Sequence, residues 1–234
     1  MLISHPILAA LLVTIACQFS AAEPSTKSIQ LFDGKTFTGW TAADGKAPPK
    51  NWTIEDGALV VSGTGGSLFT ADEYDDFDLS FEWRITPHGN SGVKYRSNFY
   101  RLGVHGHPGW LGCEYQILDD SEYGNEPPNA TNRSGVIYDL YPITTKPTLR
   151  PVGEFNDGRI VVKGPHIEHW INGTMVSSAE IGTDDWKHRV EQSKFGIVPH
   201  FMQHPKGRIE LQDHNHKAAF RNIVLTPLDA AALH

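Results

Sequence analysis

Apolar and polar residues alternate along most of this chain, in short runs cut by glycine and proline. In Phe77-Asp78-Leu79-Ser80-Phe81-Glu82-Trp83-Arg84-Ile85 the odd positions are apolar and the even ones polar. A period of two sends successive side chains to opposite faces of a strand. The same reading predicts strands at Trp52–Glu55, Ala58–Ser62, Phe77–Thr86, Ser91–Arg96, Cys113–Leu118, Gly135–Tyr138, Asn156–Lys163, His166–Ile171, Lys194–Val198, Gly207–Gln212 and Phe220–Thr226. Asp56-Gly57 and Asn172-Gly173 mark hairpin turns, because glycine accepts positive φ. No run holds a helical period long enough to predict a major helix. Many short strands between turn signals predict an all-β sandwich or barrel.

Phasing these strands picks out a polar face. Glu114 and Gln116 share one side of their strand. Glu82 and Arg84 share the polar side of theirs. Val93 and Tyr95 are phased inward, which turns Lys94 and Arg96 outward. Ile209 and Leu211 point in, leaving Glu210, Gln212 and His214 out. A solvated outer face explains such a pattern too, since antiparallel sheets commonly keep one wet side. The mixture of acids, amides, guanidiniums and imidazole nevertheless suits sugar hydroxyls. Aromatic residues, among them Tyr138, crowd the same middle third. The polar stretch from Glu122 to Arg133 is expected to be a surface loop.

The N-terminus changes the domain reading. Ile7 to Ala16 is apolar but too short to span a bilayer, and Ser20-Ala21-Ala22 fits a small-residue cleavage site. Residues 1–22 are therefore expected to be a signal peptide, with export to the periplasm or medium. Cys17 offers a less favoured lipid anchor. Residues 23–28 would form a short N-terminal segment, 29–228 one domain and 229–234 a tail. Only Cys113 would remain after cleavage, so packing rather than disulfides must hold the fold. A formal charge of −7 argues against a nucleic-acid partner. No later run is apolar enough for a stable membrane span.

The chain has twelve histidines. His105-Gly106-His107 and Asp213-His214-Asn215-His216 bring imidazoles close together, and imidazole with carboxylate suits divalent metals. The spacing matches no strong metal signature, and a surface role explains each pair as well. His188, His204 and His234 read as merely exposed. His169 shares a face with Ile167 and Ile171, so a hydrogen-bonded core histidine is the plain alternative to a functional one. Nucleophile-elbow, phosphate-loop and dinucleotide motifs are absent from the sequence. Cys113 reads as a packed residue.

An ordered set of short motifs extends this reading. It runs through Leu31-Phe32-Asp33-Gly34-Lys35, Gly39-Trp40, Trp52-Thr53-Ile54-Glu55-Asp56-Gly57, Glu82-Trp83-Arg84 and Asn90-Ser91-Gly92-Val93. It continues through Glu114-Tyr115-Gln116-Ile117-Leu118-Asp119, Gly153-Glu154-Phe155-Asn156, Glu168-His169-Trp170-Ile171-Asn172-Gly173, Leu211-Gln212-Asp213-His214 and Phe220-Arg221-Asn222-Ile223. In that order it resembles the 3-keto-disaccharide hydrolase family, from about Ile29 to Leu228. Asn215 departs from it, standing where the family usually has glycine. The resemblance implies a two-sheet concanavalin-like jelly roll with a concave sugar-binding face. It also implies action on glycosides whose C3 hydroxyl is already a ketone, with a divalent metal in some members and no organic cofactor.

Such a substrate needs one base at C2, a stabiliser for the enolate and an acid for the leaving group. Glu114 and His214 are the expected centre, as acid–base groups or metal ligands. Asp119 and His169 follow as lesser catalytic candidates. Glu82, Arg84, Lys94, Arg96, Gln116, Tyr138 and Gln212 are expected to bind the oxidised sugar. Two alternatives stay open, a non-catalytic carbohydrate-binding domain and an ordinary retaining glycosidase of the laminarinase type. The second is weakened because Gln116 stands where that type carries an acid.

Overall fold

The computed structural model describes residues 27–123 and 130–228, and not the side chains of residues 122 and 123. The expected signal peptide, the C-terminal tail and half of the expected Glu122–Arg133 loop lie outside the described residues. Among the described residues, thirteen strands form two antiparallel sheets. The eight-stranded sheet contains β1 (Ile29–Gln30), β3 (Trp52–Glu55), β4 (Ala58–Val61), β6 (Phe77–Ile85), β9 (Asn156–Lys163), β10 (His166–Ile171), β11 (Thr174–Glu180) and β13 (Ala218–Pro227). Its order is β11-β10-β9-β6-β13-β4-β3, with β1 on β13. The five-stranded sheet runs β2-β5-β12-β7-β8, from β2 (Trp40–Thr41), β5 (Leu68–Tyr74), β12 (Gly207–Leu211), β7 (Asn90–Tyr100) and β8 (Gly109–Leu118).

The two sheets close on one apolar core, as expected of a jelly-roll sandwich. Phe77, Leu79, Phe81 and Trp83 enter it from β6, and Val93, Tyr95, Cys113, Tyr115 and Ile117 from the facing sheet. These are the residues that alternation phases inward. Burial pushes the Cys113 thiol up to about 12, so it packs as an inert group.

Two predicted elements differ. Lys194–Val198 is not a strand; Lys194–Ile197 forms a 3₁₀ turn directly after the helix α1 (Asp184–Gln192). Thr183 caps that helix by accepting from the Trp186 N–H, and Trp186 is its one buried residue. A single buried anchor leaves no apolar stripe for sequence to reveal. Gly135–Tyr138 is only a fragment of a strand. It lies along the free edge of β8, where the Gln116 N–H donates to the Val136 carbonyl and the Tyr138 N–H to that of Glu114.

Candidate active site

The outer face of the five-stranded sheet carries most of the polar residues that phasing grouped together. Register places Glu114 on β8 beside Lys94 on β7, and Lys94 beside Glu210 on β12. Gly92 pairs with Gln116. It also leaves the space that the Glu114 side chain occupies: a Cβ there would stand 2.6 Å from Glu114 Oε1 and 3.0 Å from its Cγ. The edge fragment adds Tyr138, and the turn after α1 adds Lys194. Glu114, Gln116, Gln212, His214, Tyr138, Lys194 and Asn90 line one cavity of about 50 Å³.

Glu114 is only 5% exposed, and burial raises its pKa above the ordinary carboxylate value although Lys94 and Lys194 pull it down. Lys94 donates to Glu210 Oε1 at 2.9 Å, and Ser97 Oγ donates to the other Glu210 oxygen at 3.1 Å. Burial opposes the Lys94 charge, but Glu210 and Glu114 outweigh it and raise the pKa. Lys194 has no carboxylate within ion-pair distance among the described residues. Its ammonium stands 4.1 Å from the Tyr138 ring centroid, and burial lowers its pKa against the fields of Glu114 and Asp139. Partial burial also lowers the pKa of His214, helped by His216 and the two lysines, so its ring is neutral near pH 7. Gln116 Nε2 donates to Asn90 Oδ1 at 3.1 Å. Gln212 lies near enough to the Glu114 carboxylate to help lower its pKa, and it keeps a buried Oε1 without a partner.

His214 is held by its neighbour. Asp213 Oδ2 accepts from Asn51 Nδ2 and from the Gly65 and Gly66 N–H groups, which ties the loop carrying His214 to the β4–β5 connection. The His214 and His216 rings lie nearly parallel, 6.1 Å apart. Among the described residues no three of His, Cys, Asp and Glu converge as a metal cage. The Glu114 carboxylate, the His214 imidazole and the orphaned Gln212 Oε1 are a sparser donor set. They fit a divalent ion whose coordination substrate oxygens would complete.

Five expected site residues lie elsewhere. Glu82 and Arg84 belong to the other sheet: Glu82 accepts from Arg221 Nε at 2.8 Å, and the Arg84 guanidinium covers the Phe155 ring. Alternation showed that they were polar but could not say which sheet they faced from. Arg96 sits in a bulge of β7 with φ +47°, which breaks the alternation that had placed it beside Lys94. It is buried against Asp76 at 3.0 Å. Asp119 follows directly on β8, where its carboxylate accepts from the His88 N–H and from Ser121, so bonds outweigh burial and its pKa falls. His169 is wholly buried between Tyr95 Oη and the Gly135 carbonyl, and burial lowers it to about 4. It is the core histidine of the plain alternative. Lys194 and Asn90 were missed. Asn90 stood next to a predicted strand, whereas nothing local in the sequence marks Lys194.

The chain matches the sequence profile of the 3-keto-alpha-glucoside-1,2-lyase-like domain over residues 27–226. It is 29% identical over 228 residues to the 3-keto-disaccharide hydrolase of Bacteroides thetaiotaomicron, covering 86% of this chain and 78% of that protein. A solved structure from Parabacteroides distasonis, provisionally named a glycosyl hydrolase, is 32% identical with a TM-score of 0.73, covering 86% of this chain and 94% of that one. A Bacillus subtilis protein with a galectin-like fold is similar in fold alone, at 12% identity and a TM-score of 0.54, covering 86% and 94%.

Proposed function

The chain belongs to the 3-keto-alpha-glucoside-1,2-lyase-like family, and from that premise we propose that it cleaves 3-keto-glycosides by elimination followed by hydration. The observation that carries this reading is the convergence of Glu114, His214 and Lys194 on one small polar cavity. The cavity is far smaller than the roughly 300 Å³ or more of a pocket that swallows a whole ligand. It suits the reacting edge of a sugar ring, with the rest of the substrate outside.

A C3 ketone acidifies the C2 hydrogen. The Glu114 carboxylate takes that proton, and the C–H electron pair forms the enolate. Burial makes Glu114 a stronger base than a solvated carboxylate, which favours a transfer near neutral pH. Lys194 places positive charge beside the group that turns anionic, in a site shielded from water. Asn90, Gln116 and Gln212 offer amide groups to the ring hydroxyls. When the enolate reforms the ketone, a C1–C2 double bond forms and the C1–O bond breaks. The departing oxygen takes the proton that Glu114 acquired, relayed through the neutral His214 ring at the rim. Water then adds at C1, C2 regains a proton, and the sum is hydrolysis. A divalent ion held by Glu114, His214 and Gln212 would add Lewis acidity at the ketone.

The test is incubation with a 3-keto-disaccharide and with its unoxidised parent, with and without chelator. The oxidised sugar alone should be cleaved, and a Glu114→Gln variant should lose at least about 100-fold in rate. Cleavage of the parent sugar at an equal rate would support an ordinary glycosidase instead. Binding without cleavage in any metal would support a carbohydrate-binding module.

A further inference from the structure

The same sheet face carries a second assembly that the chemistry above does not use. Trp110 lies four residues before Glu114 on β8, so it shares the face of Glu114, at roughly 13 Å along the strand. Phe99 of β7 pairs with Trp110, and their rings meet edge to face at 6.1 Å. Phe69 of β5 also packs near Trp110, with ring centroids 5.3 Å apart. Arg208 underlies both, with its guanidinium 4.9 Å from the Phe69 ring and 5.3 Å from that of Trp110. Its donors go to the Thr70, Ala43 and Ala42 carbonyls and to Thr41 Oγ1, so this cation is fixed in place.

Phe99 is 55% exposed, and among the described residues no other Phe, Tyr or Trp is exposed. Keeping that ring in water costs hydrophobic free energy that turning it into the core would recover. Beyond Phe99 a cleft of about 460 Å³ opens between the ends of β7 and the Pro199–His204 segment. Its wall presents Arg101, His200, Gln203 and His204. An aromatic surface next to guanidinium, imidazole and amide groups matches a sugar ring, which has apolar C–H faces and a rim of hydroxyls.

We infer that Trp110, Phe99 and this cleft form a distal subsite for the sugar units of an oligosaccharide leaving group. The inference rests on the reading that the Glu114 cavity takes the ketosugar. The spacing sets the substrate class: a single leaving sugar ends short of Phe99, whereas a longer chain lies across it and enters the cleft. The protein therefore prefers 3-keto-oligosaccharides to 3-keto-disaccharides.

The experiment has two arms on the full protein. The first follows turnover of malto-, cello- and laminari-oligosaccharides of increasing length, oxidised at C3 of the terminal unit. In at least one series KM should fall about tenfold beyond the disaccharide, and Phe99→Ala should abolish the gain while leaving the disaccharide rate unchanged. The second arm measures calorimetric binding of the same sugars unoxidised, with Phe99→Ala and His204→Ala. Affinity should rise with length and lose that rise in both variants. Disaccharide turnover with no length dependence in any series would overturn the subsite and leave the proposed reaction standing. Length-dependent, Phe99-sensitive binding without turnover would overturn the reaction and keep the subsite. If binding that rises with length survives both substitutions, the sugars lie elsewhere and the subsite is wrong.

Discussion

Gly92 and Glu114 illustrate how a single missing atom can hold a site. Any side chain at residue 92 would collide with the Glu114 carboxylate group. Alanine at that place favours a strand slightly over glycine, so Gly92→Ala should keep its folding free energy to within about 1 kcal/mol. Glu114 would have to swing aside, and a displacement on the order of 1 Å can cost about 100-fold in rate. Steady-state kinetics beside a urea melt would check this; unchanged turnover would mean that the Glu114 position does not matter. A second expectation concerns pH. Glu114 must be ionised to act as a base, and its pKa is raised above 4.5. Activity should therefore rise with pH along an acid limb centred above 4.5. In Lys194→Met, a cation that lowers this pKa is gone, so the limb should move to still higher pH. A limb that stays in place would show that the titrating group is not Glu114.

Among the elements, β7 decides what the sequence could and could not reveal. Its first half alternates regularly, so Val93, Lys94 and Tyr95 face where the sequence says. The bulge at Arg96 adds one residue, and a period-two argument has no means of seeing it. Arg96 consequently leaves the polar face of Glu114 and pairs with Asp76, with further bonds to the Asp75 and Gly164 carbonyls. Arg96→Met would strand the Asp76 carboxylate, which is largely buried. Stability should drop by about 3 kcal/mol, with kcat/KM unchanged well below the melting temperature. Chemical denaturation and kinetics on the same variant would check both halves, and a loss of activity in stable protein would return Arg96 to the site. The β8 strand was legible for the opposite reason. It is regular from Trp110 to Leu118, so Glu114 and Gln116 emerge on one face as alternation requires. Lys194 reaches that face from a turn some eighty residues later in the chain, a contact that only tertiary structure creates.

Across the whole molecule, two sheets share one apolar core while the outer side of the smaller sheet concentrates charge and amides. The sandwich and its inward residues could be read from periodicity because core burial enforces it. The membership of each polar strand in one sheet or the other could not, which is why Glu82 and Arg84 were grouped with Glu114. In the reaction proposed for this site, Glu114 takes the proton from C2 of a ketosugar. That claim can be isolated from bond cleavage by using a 3-keto sugar with hydrogen in place of the C1 substituent. In deuterium oxide, NMR should show the wild-type protein exchanging the C2 hydrogen, with Glu114→Gln slower by at least about 100-fold. Exchange that proceeds equally fast in both proteins, or that is absent from the wild type while 3-keto-disaccharides are still cleaved, would contradict it.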